Sequence, residues 1–279
     1  MRTLITMLAL ALLAACSGLD GRVQEQSGGP RLASLSPALT AMVVELGSGD
    51  RIIGRSQFCT DVDASVPIVG DLLNVNWEQL ARVRPTHILI QSAPQSLDPA
   101  MVELADRRGW TLVVFPLVTA ADIQHAMATL PDALDLDDVE AGFAKKRSDS
   151  FQKRIDEHLA DAPVIDGERV LLVSAMEPPL AWGRNTYLGQ LAERLGAENA
   201  LNADGWIPIG YEEVVRCETD RVIIVGAAEP DPDHPIFSAT GRMNVRVDVL
   251  VDQGLLLPAT RLPDITRSLR EVLVARGDS

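Results

Sequence analysis

A segment free of glycine and proline, residues 143–162, separates two regions of similar pattern. Within it, apolar residues recur at every fourth position, at Phe151, Ile155 and Leu159, among many charged side chains. This spacing is typical of a helix with a narrow apolar stripe and a solvated remainder. We therefore predict one long helix over residues 137–160, about 36 Å long at 1.5 Å per residue.

Short apolar strands alternate with helical segments before this helix. The predicted strands are RLASL, RIIGRS, THILIQ and TLVVF, and the helices include SPALTAMVVELG and PAMVELADRRG. Ser36 and Pro37 fit the start of the first helix, and Gly47 fits its end. Alternation of this kind predicts a parallel α/β sheet.

The region after about residue 163 repeats this theme. Its predicted strands are RVLLVS and RVIIVG, and its helices are TYLGQLAERLG, YEEVVRCE and PDITRSLREVLVARG. A chain of 279 residues is long enough for two lobes of about 120 residues each. We predict an α/β protein with two Rossmann-like lobes, residues 31–136 and 161–279, joined by a single long backbone helix at 137–160.

The N-terminus has the pattern of a signal peptide. In MRTLITMLALALLAAC, one arginine precedes an apolar run of about 12 residues, which is too short to span a bilayer as a mature helix. The ending LAAC resembles a bacterial lipobox, which implies cleavage of residues 1–15 and a lipid on the Cys16 thiol; an ordinary secretory signal is the alternative. Residues 16–30 are polar and rich in glycine, which predicts a flexible tether. We expect export across the inner membrane and lipid anchoring in the periplasm or cell envelope.

The net charge and the sequence motifs narrow the possible classes of function. The formal net charge of −14 excludes nucleic-acid binding through a basic surface. The sequence has no GxSxG elbow, P-loop or HExxH motif. Its histidines fall in separate elements and do not suggest a metal site; they are His87, His125, His158 and His234. We therefore expect a binding protein without metal or cofactor, not an enzyme.

Aromatic residues make up only 4% of the chain, so the position of each is informative. Phe58, Trp182 and Trp206 are predicted in loops where strands or helices end. Such loops line the ligand crevice in open α/β sheets. Arg55 and Arg184 lie beside these aromatics and are candidates for contact with an anionic group. Packing of each side chain against its own lobe is the alternative to a shared apolar cleft.

Four segments carry a family resemblance: RLASLSPALTAMVVELGSGDRIIGRSQFCTD, VGDLLNVNWEQLARVRPTHILI, RVLLVSAMEPPLAWGRNTYLGQLAERLGAENAL and YEEVVRCETDRVIIV. They resemble the substrate-binding proteins of cobalamin and iron-siderophore ABC importers. The resemblance covers about residues 31–275, including the long helix. It implies two Rossmann-like lobes with a ligand held between them, and delivery of that ligand to an ABC permease and its ATPase. We expect a monomer.

Within this family, the sequence is most similar to the vitamin B12-binding members. This similarity implies aromatic contacts with a corrin ring at Phe58 and Trp206. Leu180 replaces a third aromatic and Gln91 stands at another aromatic position, and we predict that Trp182 compensates. The expected ligand is therefore a corrinoid.

Several alternatives remain at this point. A ferric siderophore or haem could occupy the same cleft, and haem would favour an iron ligand such as Tyr187 or Tyr211. A secreted hydrolase would need a nucleophile and base in the cleft, and a surface sensor would need no transport partner. The family architecture implies that Cys59 lies in the cleft and Cys217 on the outside of the other lobe, so we expect no disulfide.

Two acidic residues hold equivalent places in WEQLARVRPTHILIQ and YEEVVRCETDRVIIV. Glu78 and Glu212 each precede an apolar helix position, Leu80 or Val214, by two residues. The family resemblance implies that one glutamate per lobe pairs with arginines of a two-fold permease. Stabilisation of a helix N-terminus through its dipole is the alternative. We expect both side chains to be exposed at helix starts, on the face where the cleft opens.

Overall fold

Two separate β-sheets organise the chain, one on each side of a long helix. The computed structural model describes residues 28–275. The predicted signal peptide and the predicted lipidation site, Cys16, lie outside the described residues. The α/β class with two lobes and a single long backbone helix is confirmed.

The first lobe contains a four-stranded parallel sheet in the order β2-β1-β3-β4. Its strands are β1 (Leu32–Ser34), β2 (Ile52–Gly54), β3 (His87–Gln91) and β4 (Thr111–Phe115). Its helices are α1 (Pro37–Glu45), α2 (Trp77–Val83), α3 (Pro99–Arg108) and α4 (Ala120–Ala133). The Ser36 hydroxyl caps α1 by accepting a hydrogen bond from the Leu39 amide at 3.2 Å, as the sequence predicts. Gly47 follows with φ of +88°, a conformation that favours glycine.

Helix α4 was not predicted, although its start carries a recognisable signal. The Thr119 hydroxyl accepts a hydrogen bond from the Asp122 amide, and the Asp122 carboxylate accepts one from the Thr119 amide. This reciprocal pair is a capping box. Pro131 lies inside the helix, near its end. An internal proline is normally a signal against a helix, so the sequence pattern does not indicate this one.

The second lobe has a mixed sheet in the order β10-β9-β5-β6-β8, with β7 also paired to β5. Its strands are β5 (Arg169–Ser174), β6 (Leu180–Trp182), β7 (Glu198–Asn199), β8 (Trp206–Pro208), β9 (Arg221–Gly226) and β10 (Arg246–Val251). Its helices are α6 (Tyr187–Arg194), α7 (Tyr211–Arg216), α8 (Pro235–Thr240) and α9 (Leu262–Val274).

The prediction that this half repeats a parallel theme is only partly right. β9 and β10 run parallel to β5, but β6 pairs antiparallel with β5, and β8 pairs antiparallel with β6. The segments around Trp182 and Trp206, predicted as loops, are therefore strands. Each has three residues, which is too short to show the alternation that identifies a strand.

The connecting helix, α5, spans Asp138–Leu159, which is about 33 Å for its 22 residues. The Asp137 carboxylate caps it by accepting hydrogen bonds from two backbone amides of the first turn. Phe151 and Ile155 are fully buried on its apolar stripe, as predicted. This stripe packs against α4 of the first lobe and α9 of the second. In the described part of the chain, no helix combines the length and apolarity needed to cross a bilayer.

A buried arginine attaches the C-terminal helix to the second sheet. Arg221 begins β9, and its side chain is 1% exposed. Its Nε donates to Asp248 Oδ2 at 2.6 Å, and its Nη1 donates to the Leu273 carbonyl at 3.0 Å. The guanidinium thus satisfies a carbonyl in the last turn of α9, which otherwise has no intrahelical partner.

Replacing this arginine with an apolar side chain should destabilise the protein. Arg221→Met leaves the α9 carbonyl without its buried donor and leaves Asp248 with Arg246 as its remaining partner, and we expect the free energy of unfolding to fall by about 3 kcal/mol. Urea denaturation measures this change. Arg169→Met is the matched control, because Arg169 begins β5 and its pair with Glu218 is exposed. An equal effect of the two substitutions would contradict this role of Arg221.

Candidate functional site

An apolar cavity of about 260 Å³ lies between the two lobes. The first lobe contributes Gln91, at the end of β3, and Leu117, just after β4. The second lobe contributes Met176, just after β5, together with Trp182 and Trp206. Parallel strands place their carboxyl ends at one edge of a sheet, and ligands of open α/β proteins bind beyond that edge. The cavity lies beyond the carboxyl ends of the parallel strands of both sheets.

Two tryptophans form one wall of the cavity. Trp182 of β6 and Trp206 of β8 are directly opposite each other in an antiparallel pair, so their side chains project from the same face. Leu180, two residues before Trp182, also lines the cavity. Trp182 is 4% exposed and Trp206 is 41% exposed. The structure therefore gathers three of the predicted ligand contacts on one short antiparallel ribbon.

The cavity continues in two directions. A second cavity of about 280 Å³ shares Met176 and Trp182 with it and reaches the loop after β9. A polar groove of about 630 Å³ shares Leu257 with the first cavity and includes Thr60 of the first lobe. Phe58 lies two residues before Thr60, in the turn after β2, and is 60% exposed. Phe58 lines neither the apolar cavity nor the groove.

Gln91 is held at the cavity wall by the cap of the first helix. Its Oε1 accepts a hydrogen bond from the Ser36 hydroxyl at 2.9 Å, while the same hydroxyl caps α1. Gln91, which stands where the family resemblance implies an aromatic residue, is thus fixed in place. It supplies an amide group to an otherwise apolar wall.

The two candidate arginines do not reach the cavity wall. Arg55 is buried, and its guanidinium donates to the carbonyls of Ser56, Ala64 and Val66, each at 3.1 Å. It therefore holds the loop after β2 together from inside the lobe. Arg184 is exposed, and neither arginine is among the residues that line the apolar cavity.

The two tyrosines considered as iron ligands are engaged in hydrogen bonds. The Tyr187 ring lines the cavity, but its hydroxyl donates to the Leu255 carbonyl, and burial raises its pKa far above the ordinary value. The Tyr211 hydroxyl donates to Glu177 Oε1 at 2.6 Å, and desolvation together with this bond raises the pKa of Tyr211 to about 12. A phenol is protonated at neutral pH even at its ordinary pKa, and a raised pKa makes the tyrosinate form still more costly. Within residues 28–275, no cluster of three His, Cys, Asp or Glu residues could hold a metal ion.

Glu78 and Glu212 occupy the second position of α2 and α7, with side chains 83% and 87% exposed. Each helix precedes a parallel strand, β3 or β9, and runs back along the sheet. Each therefore begins near the carboxyl edge of its sheet, where the cleft opens. The neighbouring Glu213 turns back and accepts a hydrogen bond from the Gly210 amide at 2.7 Å. Glu213 is thus a cap of α7, and Glu212 is the acidic side chain that projects outward.

Cys59 and Cys217 are free thiols, as expected. The Cys59 sulfur is buried and lies 3.1 Å from the Thr40 hydroxyl. Cys217 is half-buried at the end of α7, and burial raises the pKa of its thiol.

Some cavity residues were missed in the sequence. Met176 directly follows a correctly predicted strand, so the rule that ligand-binding loops follow parallel strands would have identified it. Leu255 follows β10, which was not predicted as a strand, so that rule could not be applied to it. Ile123 belongs to the unpredicted helix α4.

Comparisons with known proteins agree with this architecture. A family model described as periplasmic binding protein matches residues 32–235. A Bacillus subtilis relative, described as the uncharacterized ABC transporter substrate-binding lipoprotein YvrC, is 24% identical over 206 residues. That match covers 69% of this chain and 62% of the relative, which is less than two thirds of its length.

Solved structures share the fold at low sequence identity. The vitamin B12 binding protein BtuF of Vibrio cholerae has a TM-score of 0.71 at 15% identity, covering 88% of this chain and 96% of that one. The heme binding protein HutB of Vibrio cholerae has a TM-score of 0.67 at 17% identity, covering 88% and 99%. A possible iron-binding protein from Staphylococcus epidermidis has a TM-score of 0.69 at 19% identity, covering 88% and 99%.

The family model covers well over half of the chain, and it includes the first sheet, the connecting helix and strands β5 to β9. The same region carries the two tryptophans of the cavity wall and both exposed glutamates. The chain belongs to the periplasmic binding protein family.

Proposed function

We propose that this protein binds a corrinoid in the cleft between its lobes and delivers it to a two-fold ABC permease. The observation that supports this most strongly is the character of the cavity wall. Trp182, Trp206, Leu180 and Met176 present a broad apolar and aromatic surface, with the Gln91 amide at its edge. A corrinoid is a wide, flat macrocycle with apolar faces and neutral amide groups around its rim, which matches this wall.

The chemistry of the wall favours a corrinoid over haem. Haem carries anionic propionates and an iron atom that seeks an axial ligand. Among the described residues, those lining the two apolar cavities include no lysine, arginine or histidine, and Arg261 of the adjoining groove is already paired with Asp252 and Asp264. Tyr187 lines the first cavity, but its raised pKa and its bond to a carbonyl disfavour a tyrosinate ligand.

The same wall disfavours an anionic ferric siderophore, because a buried anion needs cationic or hydrogen-bonding partners. Glu229, which lines the second cavity, adds a carboxylate that would repel such a ligand. Burial of apolar ring area contributes about 25 cal/mol per Å² before the costs of binding. A ligand with large neutral faces gains most from this site.

The volume of the apolar cavity also determines how much of the ligand it can enclose. The apolar cavity of about 260 Å³ is smaller than the roughly 300–1,000 Å³ of typical ligand pockets. A corrinoid would therefore extend beyond it into the polar groove that shares Leu257. Phe58, which is exposed and two residues before Thr60 of this groove, is the proposed contact on the far side of the ring.

Delivery requires contact with the permease, and Glu78 and Glu212 are the proposed contacts. Each lobe exposes one carboxylate at the second position of a helix that begins near the cleft. A two-fold partner presents the same surface twice, so two equivalent carboxylates can each meet one copy. Charge pairing of this kind controls the encounter rate and the orientation of docking.

Attachment to the membrane is proposed to occur through a lipid on Cys16, with the polar segment 16–30 as the tether. Two or three acyl chains hold a protein stably at a membrane surface, whereas one chain does so only marginally. The description of the Bacillus subtilis relative as a lipoprotein supports this proposal. The tether would keep the binding protein close to its permease in the cell envelope.

Truncating the exposed tryptophan of the wall should weaken binding of cobalamin. Trp206→Ala removes an aromatic face, and we expect the dissociation constant to rise at least about tenfold, equivalent to ~1.4 kcal/mol. Titration calorimetry with cyanocobalamin measures it. Trp77→Ala is the matched control, because Trp77 is 38% exposed, close to the 41% of Trp206, but lies outside the cavity. Absence of cobalamin binding in the wild type would overturn the corrinoid assignment.

Neutralising the two exposed glutamates should weaken docking to the permease without affecting ligand binding. We expect Glu78→Gln/Glu212→Gln to bind cobalamin normally but to bind the permease at least about thirtyfold more weakly, since loss of a desolvated charge pair costs about 2–5 kcal/mol. Binding to the host's permease in nanodiscs and stimulation of its ATPase measure this.

Each single variant should give an intermediate result, because the other lobe can still dock. Glu103→Gln is the control, because Glu103 is also an exposed helix glutamate with an arginine one turn later, but it lies on α3. A double variant that docks like the wild type would remove these residues from the interface.

A further inference from the structure

Both proposed docking carboxylates are already paired with a cation from their own helix. Glu78 Oε1 lies 2.7 Å from Arg82 Nη2, and Glu212 Oε2 lies 2.7 Å from Arg216 Nη2. In each case the arginine follows the glutamate by four residues, one helical turn later. The two lobes thus repeat the same aromatic–Glu–x–x–x–Arg arrangement, which begins at Trp77 in the first lobe.

We propose that Arg82 and Arg216 restrain docking by neutralising Glu78 and Glu212 in the free protein, so that the permease must displace them. This inference rests on the proposed docking role of the glutamates. A cationic permease surface that approaches Glu78 meets a carboxylate that already has a partner, and it also meets the positive charge of Arg82. The arginines therefore lower the affinity of the complex that the glutamates create.

The exposure of the pairs makes this exchange feasible. The arginine side chains are 66% and 72% exposed, so each can rotate into water without breaking any buried contact. Exposed pairs at this spacing are weak, and opening one costs only about a twofold change in an equilibrium constant. Two such pairs together predict an effect of about fourfold on docking, which weakens the complex without preventing it.

The restraint on docking suits a protein of this net charge. The chain carries a formal net charge of −14, which attracts it to any cationic surface over long range. Arg82 and Arg216 reduce the local negative charge only where contact is made. They thus weaken the bound complex while leaving the long-range attraction in place, which suits a carrier that must leave after delivery.

The test compares two double variants of equal net charge. Arg82→Gln/Arg216→Gln removes the proposed restraint from the docking glutamates. Arg107→Gln/Arg267→Gln removes two arginines that pair with glutamates one turn away, but on α3 and α9. Both are measured against the host's own permease in nanodiscs by surface plasmon resonance, at about 50 mM and about 500 mM salt.

We expect the first double variant to bind about fourfold more tightly at low salt, with the gain lost at high salt because exposed charges are then screened. The control should bind like the wild type. Weaker or unchanged binding of Arg82→Gln/Arg216→Gln would overturn the inference, because the arginines would then be permease contacts or bystanders.

The assay also separates this inference from the docking assignment on which it rests. If Glu78→Gln/Glu212→Gln docks like the wild type, both the docking role and the restraint are wrong. If that variant fails to dock while the arginine variant shows no gain, only the restraint is wrong. An equal gain in the control variant would show that net charge, and not pairing at the docking site, sets the affinity, which also overturns the restraint.

Discussion

The packing of helix α5 against both lobes is the constraint on which the rest of the structure depends. Its apolar stripe, which includes Phe151 and Ile155, contacts α4 on one side and α9 on the other. Polar contacts add to this packing: Arg154 pairs with Glu45 of the first lobe at 3.1 Å, and Arg270 of the second lobe donates to the His158 carbonyl at 2.7 Å. A helix held at both ends sets the distance between the lobes far more narrowly than a flexible linker would.

The site follows from this fixed separation. With the two sheets held apart, the carboxyl ends of their strands face a common space, and the residues there form the cavity. Trp182 and Trp206 are matched across the antiparallel pair β6–β8, so their rings form a single wall. Glu78 and Glu212 lie near the same edges, so the helix that shapes the ligand site also sets the spacing of the proposed permease contacts.

Much of the fold could be predicted from the sequence because its signals are local. Ser36 as a cap, Gly47 and Gly109 at helix ends, and the buried strands are all visible as short patterns. The antiparallel ribbon could not be predicted, because three-residue strands show no alternation and their pairing is long-range.

The candidate site could also be predicted only in part, because the direction of a side chain depends on long-range contacts. Trp182, Trp206 and Leu180 converge on the cavity, whereas Phe58 does not line it and Arg55 is engaged with carbonyls of its own loop. The direction of a buried arginine depends on contacts that a linear pattern does not contain.

The most direct test of the central claim incubates the protein with equal concentrations of cobalamin, haem and a ferric siderophore, then records the absorbance spectrum of the desalted protein. Corrinoid bands equivalent to about one ligand per protein are expected; a haem Soret band, a ferric siderophore band or a colourless protein would contradict the account.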